Sequence, residues 1–308
     1  MNATLGAVVP VFLVILLGLA LRQRSVLPDA FWAPAEKLTY FITFPALLAA
    51  NLAKADMGAL DWESLMGVQV VVTLVVSAGL VLAMAPPRRR VLSGPAFGSA
   101  FQGAIRPNTY VGLAVAAALQ GQMGVTLTAI CIAAIVPLVN VLSVICLATL
   151  GKDQSISPLG LARSIASNPL ILGCLVGIAL NASGVGLPPI IGPFLEILGR
   201  AALPVGLLAV GAGLTLDGGR GGTLAIAWSS IAKLAVTPTL VWIGGWALGW
   251  DGPTLVMAVL YGALPCSASS YILARRMGGD APLMATIITV QTLLSAVTIP
   301  VFALLLQA

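Results

Sequence analysis

Long apolar runs fill this chain, and polar positions are confined to the short gaps between them. A helix of about 20 apolar residues crosses the hydrocarbon core of a bilayer. The runs predict ten such spans, at 5–21, 32–53, 64–85, 92–119, 124–149, 165–183, 189–216, 222–249, 253–275 and 281–306. No hydrophilic stretch is long enough for a soluble domain. Basic residues occupy alternate gaps. Arg22 and Arg24 follow the first span, Arg88, Arg89 and Arg90 the third, Lys152 and Arg163 the fifth, Arg220 the seventh, and Arg275 and Arg276 the ninth. The other gaps hold Lys54 with Asp56, Asp61 and Glu63, and then Asp251. Basic loops face the cytoplasm, so this alternation predicts both termini on the non-cytoplasmic side.

Composition sharpens the membrane reading. Of 308 residues, 59% are hydrophobic and 8% charged, whereas a soluble domain is roughly 25% charged. The 33 glycines suit close helix packing in lipid. The net charge of +5 sits in loops, where it sets topology, so no nucleic-acid partner is expected. There is no histidine, which removes the commonest proton shuttle and metal ligand. Cys131, Cys146, Cys174 and Cys266 lie inside apolar runs without ligand spacing and read as small buried hydrophobes. No metal or cofactor is expected. The first run is followed, not preceded, by arginines, so it does not read as a cleaved signal peptide.

The chain carries an internal correspondence. Pro10, Pro34 and Pro45 match Pro169, Pro193 and Pro204 at one offset of 159 residues, and Gly18 matches Gly177 at the same offset. Residues 1–150 and 151–308 thus read as two five-helix halves. Five is odd, so the halves face opposite ways across the membrane, giving an all-α protein of two inverted repeats. The fourth helix of each half is interrupted. One contains Gly103-Ala-Ile-Arg106-Pro107-Asn108-Thr109-Tyr110, the other Gly262-Ala-Leu-Pro265-Cys266-Ser267-Ala268-Ser269-Ser270. Proline removes a backbone donor and clashes with the preceding turn. Breaks at corresponding places in two halves point to a transporter binding site. The plainer reading is a pair of kinks with no ligand.

Charges inside the spans are costly and are usually functional or paired. Arg106 abuts the first break, where a guanidinium can bind a carboxylate through two hydrogen bonds; pairing with helix carbonyls or an acid is the alternative. Asn108, Thr109 and Tyr110 on one side, and Ser267, Ser269 and Ser270 on the other, are candidate neutral donors, or else re-cap the broken helices. Lys233, in mid-span 8, is a candidate to neutralise carbonyl ends at the breaks or to carry coupled charge. Gln291 either hydrogen-bonds across helices or reaches the site. Glu196 and Arg200, four residues apart, read as a local pair. Glu36 and Lys37 read as solvated at headgroup level.

These residues resemble the auxin efflux carrier family, which includes the plant PIN-FORMED carriers and bacterial organic-acid carriers. The resemblance spans the chain. It rests on Arg106-Pro107-Asn108-Thr109-Tyr110, on Pro265 with its serine-rich turn and Tyr-Ile-Leu-Ala-Arg-Arg, on Gly278-Gly279-Asp280, and on Lys233 ahead of Pro238. It implies broken helices 4 and 9 crossing near Pro107 and Pro265, a fold related to bile acid symporters and sodium–proton antiporters. It further implies a scaffold of spans 1, 2, 6 and 7 (about 5–53 and 165–216) that forms a homodimer. A transport domain of spans 3–5 and 8–10 (about 64–149 and 222–306) would move against it as an elevator. The implied partner is a small organic anion, held at the crossover. The loop at 150–163 is short, unlike that of many plant members, which favours the bacterial branch and an inner-membrane location.

Other classes fit less well. Spans 4 and 9 contain no Asp or Glu, which argues against a cation–proton antiporter and against sodium coupling of the bile-acid-symporter kind. An intramembrane hydrolase would want histidine or paired aspartates. A bile-acid-symporter-like sodium-coupled carrier and a non-transporting membrane sensor remain as alternatives.

Overall fold

A computed structural model describes residues 2–56, 60–84, 92–150, 159–160, 163, 166–215 and 222–306. Arg88, Arg89, Arg90, Lys152 and Arg220, on which part of the charge alternation rests, lie outside the described residues.

The described chain is helical. In order it forms α1 (Asn2–Gln23), α2 (Asp29–Leu38), a π-helical turn (Thr39–Thr43), α3 (Phe44–Ala53), α4 (Trp62–Met84), α5 (Gly94–Ile105), α6 (Thr109–Leu150), α7 (Pro169–Ala182) and α8 (Ile191–Ala212). Then come α9 (Thr223–Ile231), a second π-helical turn (Ala232–Val236), α10 (Thr237–Ala247), α11 (Gly252–Gly262), α12 (Ser269–Arg276) and α13 (Ala281–Leu305). Among the described residues, six stretches are long and apolar enough to cross a membrane: Thr4–Gln23, Trp62–Ala83, Thr109–Thr149, Ile191–Ala212, Thr223–Ala247 and Ala281–Leu305. Leu13, Val71, Leu82, Trp246 and Val297 are among the large apolar side chains left exposed on these helices. Such faces need a non-aqueous solvent, and lipid supplies it.

The element ends have local causes. Asn168 is extended (φ −71°, ψ 118°), as a residue preceding proline prefers to be. Its side chain accepts from the Leu170 and Ile171 amides. Helix α7 therefore starts at Pro169, and the span expected from 165 is shorter by its first turn. The two π-helical turns share one cause. Each ends two residues before a proline, Pro45 or Pro238. Proline removes the i−4 hydrogen bond and crowds that carbonyl, and a widened turn relieves both. The predicted gap between spans 4 and 5 is a kink inside α6, at Gln120 and Gly121 (φ 53°, ψ −133°). Only glycine adopts such angles without strain, so the chain turns sharply with no loop.

Small residues set how closely the helices approach. A Cβ on Gly177 would lie 2.8 Å from the Ala49 carbonyl oxygen, and one on Gly173 at 2.8 Å from the Pro45 oxygen. Gly18 and Gly211 press in the same way on the backbones of Leu208 and Ile15. Helix α3 thus beds on α7, and α1 on α8. Arg22 donates to the Ala212 carbonyl at 2.6 Å and pairs with Asp29 at 3.2 Å. It closes the C-terminal end of α8, a place where a cation also meets the helix dipole favourably. Outside the spans, Asp61 precedes α4 and accepts from the hydroxyl and amide of Ser64, which hold its carboxyl below the usual range. All four cysteines are buried and free.

Candidate functional site

Helix α5 ends at Ile105 and α6 begins at Thr109; α11 ends at Gly262 and α12 begins at Ser269. The two interruptions lie against each other as a minimal antiparallel bridge between Pro107 and Cys266. The Asn108 amide donates to the Pro265 carbonyl at 2.8 Å, and the Ser267 amide donates to the Arg106 carbonyl at 3.1 Å. Each broken chain therefore repairs the other where helical partners are missing, as buried backbone groups demand in lipid.

The remaining ends are closed by side chains. Asn108 Oδ1 accepts from the Tyr110 and Val111 amides at 3.1 and 3.3 Å, capping the start of α6. Gln291, fully buried on α13, bridges both interruptions. Its Nε2 donates to the Gly103 carbonyl at 3.1 Å, and its Oε1 accepts from the Cys266 amide at 2.9 Å. Lys233 stands in the second π-helical turn and donates to the Gly262 carbonyl at 3.2 Å, at the C-terminal end of α11. The Lys233 side lines a void of about 10 Å³ with Gln69, Thr73, Thr237 and Tyr261, a volume on the scale of one water.

On the opposite face lies a cavity of about 660 Å³, lined from the crossing by Arg106, Pro107, Asn108, Thr109, Tyr110, Ser267 and Ser269. Glu36, Lys37, Tyr40, Asn140, Ser167, Asn168 and Arg276 complete its polar lining. Arg106 is buried. Its Nη1 donates to Asn140 Oδ1 at 2.8 Å and its Nη2 to Ser269 Oγ at 3.0 Å. Its Nε has no partner, and neither has the Nδ2 of Asn108. Among the described residues the ion pairs are Arg22–Asp29 and Lys54–Glu196, so no carboxylate pairs with Arg106. A buried cation with leftover donors, at the wall of an accessible cavity, is arranged to accept an anion.

The sequence-expected residues divide by place. Seven of them meet at the cavity wall. Pro265 contributes its carbonyl to the bridge and does not line the cavity, and Ser270 is buried against the Cys266 thiol at 3.3 Å. Lys233 and Gln291 contact the broken ends, away from the large cavity. The expected local pair of Glu196 with Arg200 is corrected: Glu196 bonds Lys54 from α3 instead. Lys54, at the C-terminal end of α3, is brought against the acid by the packing of α3 on α8. Asn140 was missed as a partner of Arg106. A lone amide one turn after Pro137 in an apolar run was its only signal.

Comparison with known proteins is decisive for class. The profile of a family described as membrane transport protein matches residues 153–303. The second half of the chain is thus similar to a family of membrane transporters. It is 23% identical over 300 residues to an uncharacterized transporter of Methanothermobacter thermautotrophicus, covering 97% of each chain. It is 26% identical over 302 residues to a Rhizobium meliloti protein provisionally named malonate transporter, covering 96% of this chain and 93% of that one. The protein is thus an integral membrane transporter and not an enzyme.

Proposed function

We propose that this protein carries small organic anions, carboxylates above all, by alternating access, with the anion held at the crossing of the two interrupted helices. The observation that carries the reading is Arg106: a buried guanidinium, unpaired with any described carboxylate, that lines a 660 Å³ cavity together with Asn108, with Arg106 Nε and Asn108 Nδ2 buried and without partners. An anion there would complete both donors and balance the charge. The relative named for malonate makes a short dicarboxylate the first compound to try. Spans 4 and 9 contain no acid for a cation, so the reading is a carrier not driven by sodium.

The same proposal takes the chain as ten membrane spans in two inverted halves, 1–150 and 151–308. Contacts that recur at the 159-residue offset support the duplication. Gly18 presses on Leu208, and Gly177 presses on Ala49; exchanging the halves turns one contact into the other. The two hydrogen bonds of the crossing, Asn108 to Pro265 and Ser267 to Arg106, are exchanged in the same way. Spans 1, 2, 6 and 7 would form a homodimeric scaffold, and spans 3–5 and 8–10 the moving transport domain. The charge alternation supports an inner-membrane orientation with both termini outside the cytoplasm.

The test is thermal unfolding of the purified protein with malonate and a panel of mono- and dicarboxylates, with and without sodium. A ligand that binds only the folded state raises the midpoint with concentration. The reading expects a saturable rise with a carboxylate, independent of sodium and absent in Arg106→Gln. A rise with sodium alone, or with no anion of the panel, overturns it.

A further inference from the structure

A second cavity, of about 510 Å³, shares no lining residue with the first. It is lined by Leu47, Asn51 and Lys54 of the α3 segment, by Gln122 at the α6 kink, and by Glu196 and Arg200 of α8. Both cavities use one face of the same rod. Ala33, Glu36, Lys37, Tyr40 and Phe41 line the first; Leu47, Ala50, Asn51 and Lys54 line the second. The steps are three and four residues, the spacing of a single helical face. From Glu36 to Lys54 the rod is roughly 27 Å long at 1.5 Å per residue, which places the cavities toward opposite membrane faces.

Phe44, on the rod between these two sets, lines neither cavity. It is fully buried, and its ring stacks on Tyr110 with centroids 4.5 Å apart and planes 5° from parallel. Tyr110 lines the first cavity, while Ala117, Gly121 and Val125 further along α6 line the second. An edge of the ring lies against Gly206 of α8, where a Cβ would come within 2.8 Å of Phe44 Cε2. The ring thus fills the space between three helices at the level where the cavities would join.

Resting on the carrier reading, we propose that the two cavities are opposite ends of one anion pathway, and that the Phe44–Tyr110 stack is the barrier between them. The second cavity is the anion's station on the other membrane face. It holds Lys54 and Arg200 against the single acid Glu196, an excess of positive charge that suits a carboxylate.

The experiment reads sidedness with a thiol. The four native cysteines are buried, and Leu47→Cys places a reactive one in the second cavity, one turn from Phe44. Right-side-out and inverted vesicles are treated with a charged, membrane-impermeant methanethiosulfonate. With Phe44 in place, labelling is expected at least tenfold faster from the second cavity's face. Phe44→Ala should bring the two rates within threefold, and Phe44→Leu, which keeps more of the buried volume, should fall between. If the alanine variant does not elute as a folded protein, the leucine variant carries the test. Equal labelling from both faces with Phe44 present, or an unchanged ratio in both variants, overturns the barrier. No carboxylate enters this readout, so absence of any carboxylate-induced stabilisation sinks the carrier reading while leaving the barrier to be judged on its own.

Discussion

The two interruptions occupy corresponding positions in the sequence but are finished by different means. The first is short and closes itself in greater part: Asn108 caps the helix that follows it, Pro107 has no amide in need of an acceptor, and the Gly103 carbonyl draws on Gln291. The second is longer and neutral, and its counterpart of Pro107 is Cys266, whose amide must be satisfied. That amide is served by Gln291 from α13, and the carbonyl end of α11 by Lys233 from a neighbouring π-helical turn. The helix after the second break has Ala268 at its start and no side-chain cap. Local closure leaves the first break with polar groups to spare, namely Arg106 Nε and Asn108 Nδ2. Borrowed closure leaves the second with its serine hydroxyls and, in the last turn of α11, the unpartnered Tyr261 hydroxyl. On the carrier reading, the first break is therefore the one equipped to bind, and the second is mainly held.

The largest effect should follow from removing the surplus charge. Arg106→Gln is expected to cost about 4 kcal/mol in carboxylate binding, in the range for losing one partner of a buried charge pair, read as loss of the ligand-induced thermal shift. Arg106→Lys should recover little of it, because an ammonium lacks the planar fork held by Asn140 and Ser269. Full binding in the lysine variant would show that charge alone, and not forked geometry, distinguishes the first break.

Next comes the borrowed support. Gln291→Leu strands the Cys266 amide and the Gly103 carbonyl together, at an expected cost of about 3 kcal/mol in unfolding free energy from two unsatisfied buried groups. Detergent-solubilised protein unfolded by heat, without ligand, checks it. A cost within error of zero would mean that the second break closes without outside help, and the contrast between the breaks would collapse.

The extent to which this arrangement was legible in the sequence follows the same division. Apolar runs announce membrane helices because lipid demands long uninterrupted apolar surface, and α1, α4, α8 and α13 lie close to the expected spans. Prolines beside Gly103 and Gly262 announced both interruptions, since a missing donor and a ring clash are properties of single residues. Arg106 stood out for the same reason. Which polar group serves which broken end was not legible. Gln291 was noticed without a definite partner, and Asn140 and Lys54 escaped as partners of Arg106 and Glu196. Such pairings depend on how helices far apart in sequence come to rest against each other. No spacing rule encodes a contact such as Lys54 to Glu196 across 142 residues.

Lys233 offers a smaller and more diagnostic effect. Lys233→Met strands the Gly262 carbonyl, which costs about 1–3 kcal/mol, but it also removes a buried ammonium whose desolvation opposes folding. The two terms oppose, and the net loss is expected near 1.5 kcal/mol, below that of Gln291→Leu. Thermal unfolding of the two variants side by side gives the order. A larger loss for Lys233→Met would mean that the second break is held by charge at the end of α11 more than by hydrogen bonds to its backbone.

The smallest effects compare the breaks at their own residues. Asn108→Ala removes the cap of α6 and should cost about 1 kcal/mol, the usual value for an N-cap amide. Ser267, its counterpart at the 159-residue offset, bonds through its hydroxyl only to Ser269 Oγ at 3.0 Å and caps nothing. Ser267→Ala should therefore stay within about 0.5 kcal/mol of the parent, as for a substitution away from a structural feature. The backbone bridge survives both changes, because the amides of residues 108 and 267 remain. Measured without ligand, the two variants isolate side-chain capping from the crossing itself. Equal costs would mean that the bridge, common to both breaks, outweighs the cap that only the first possesses.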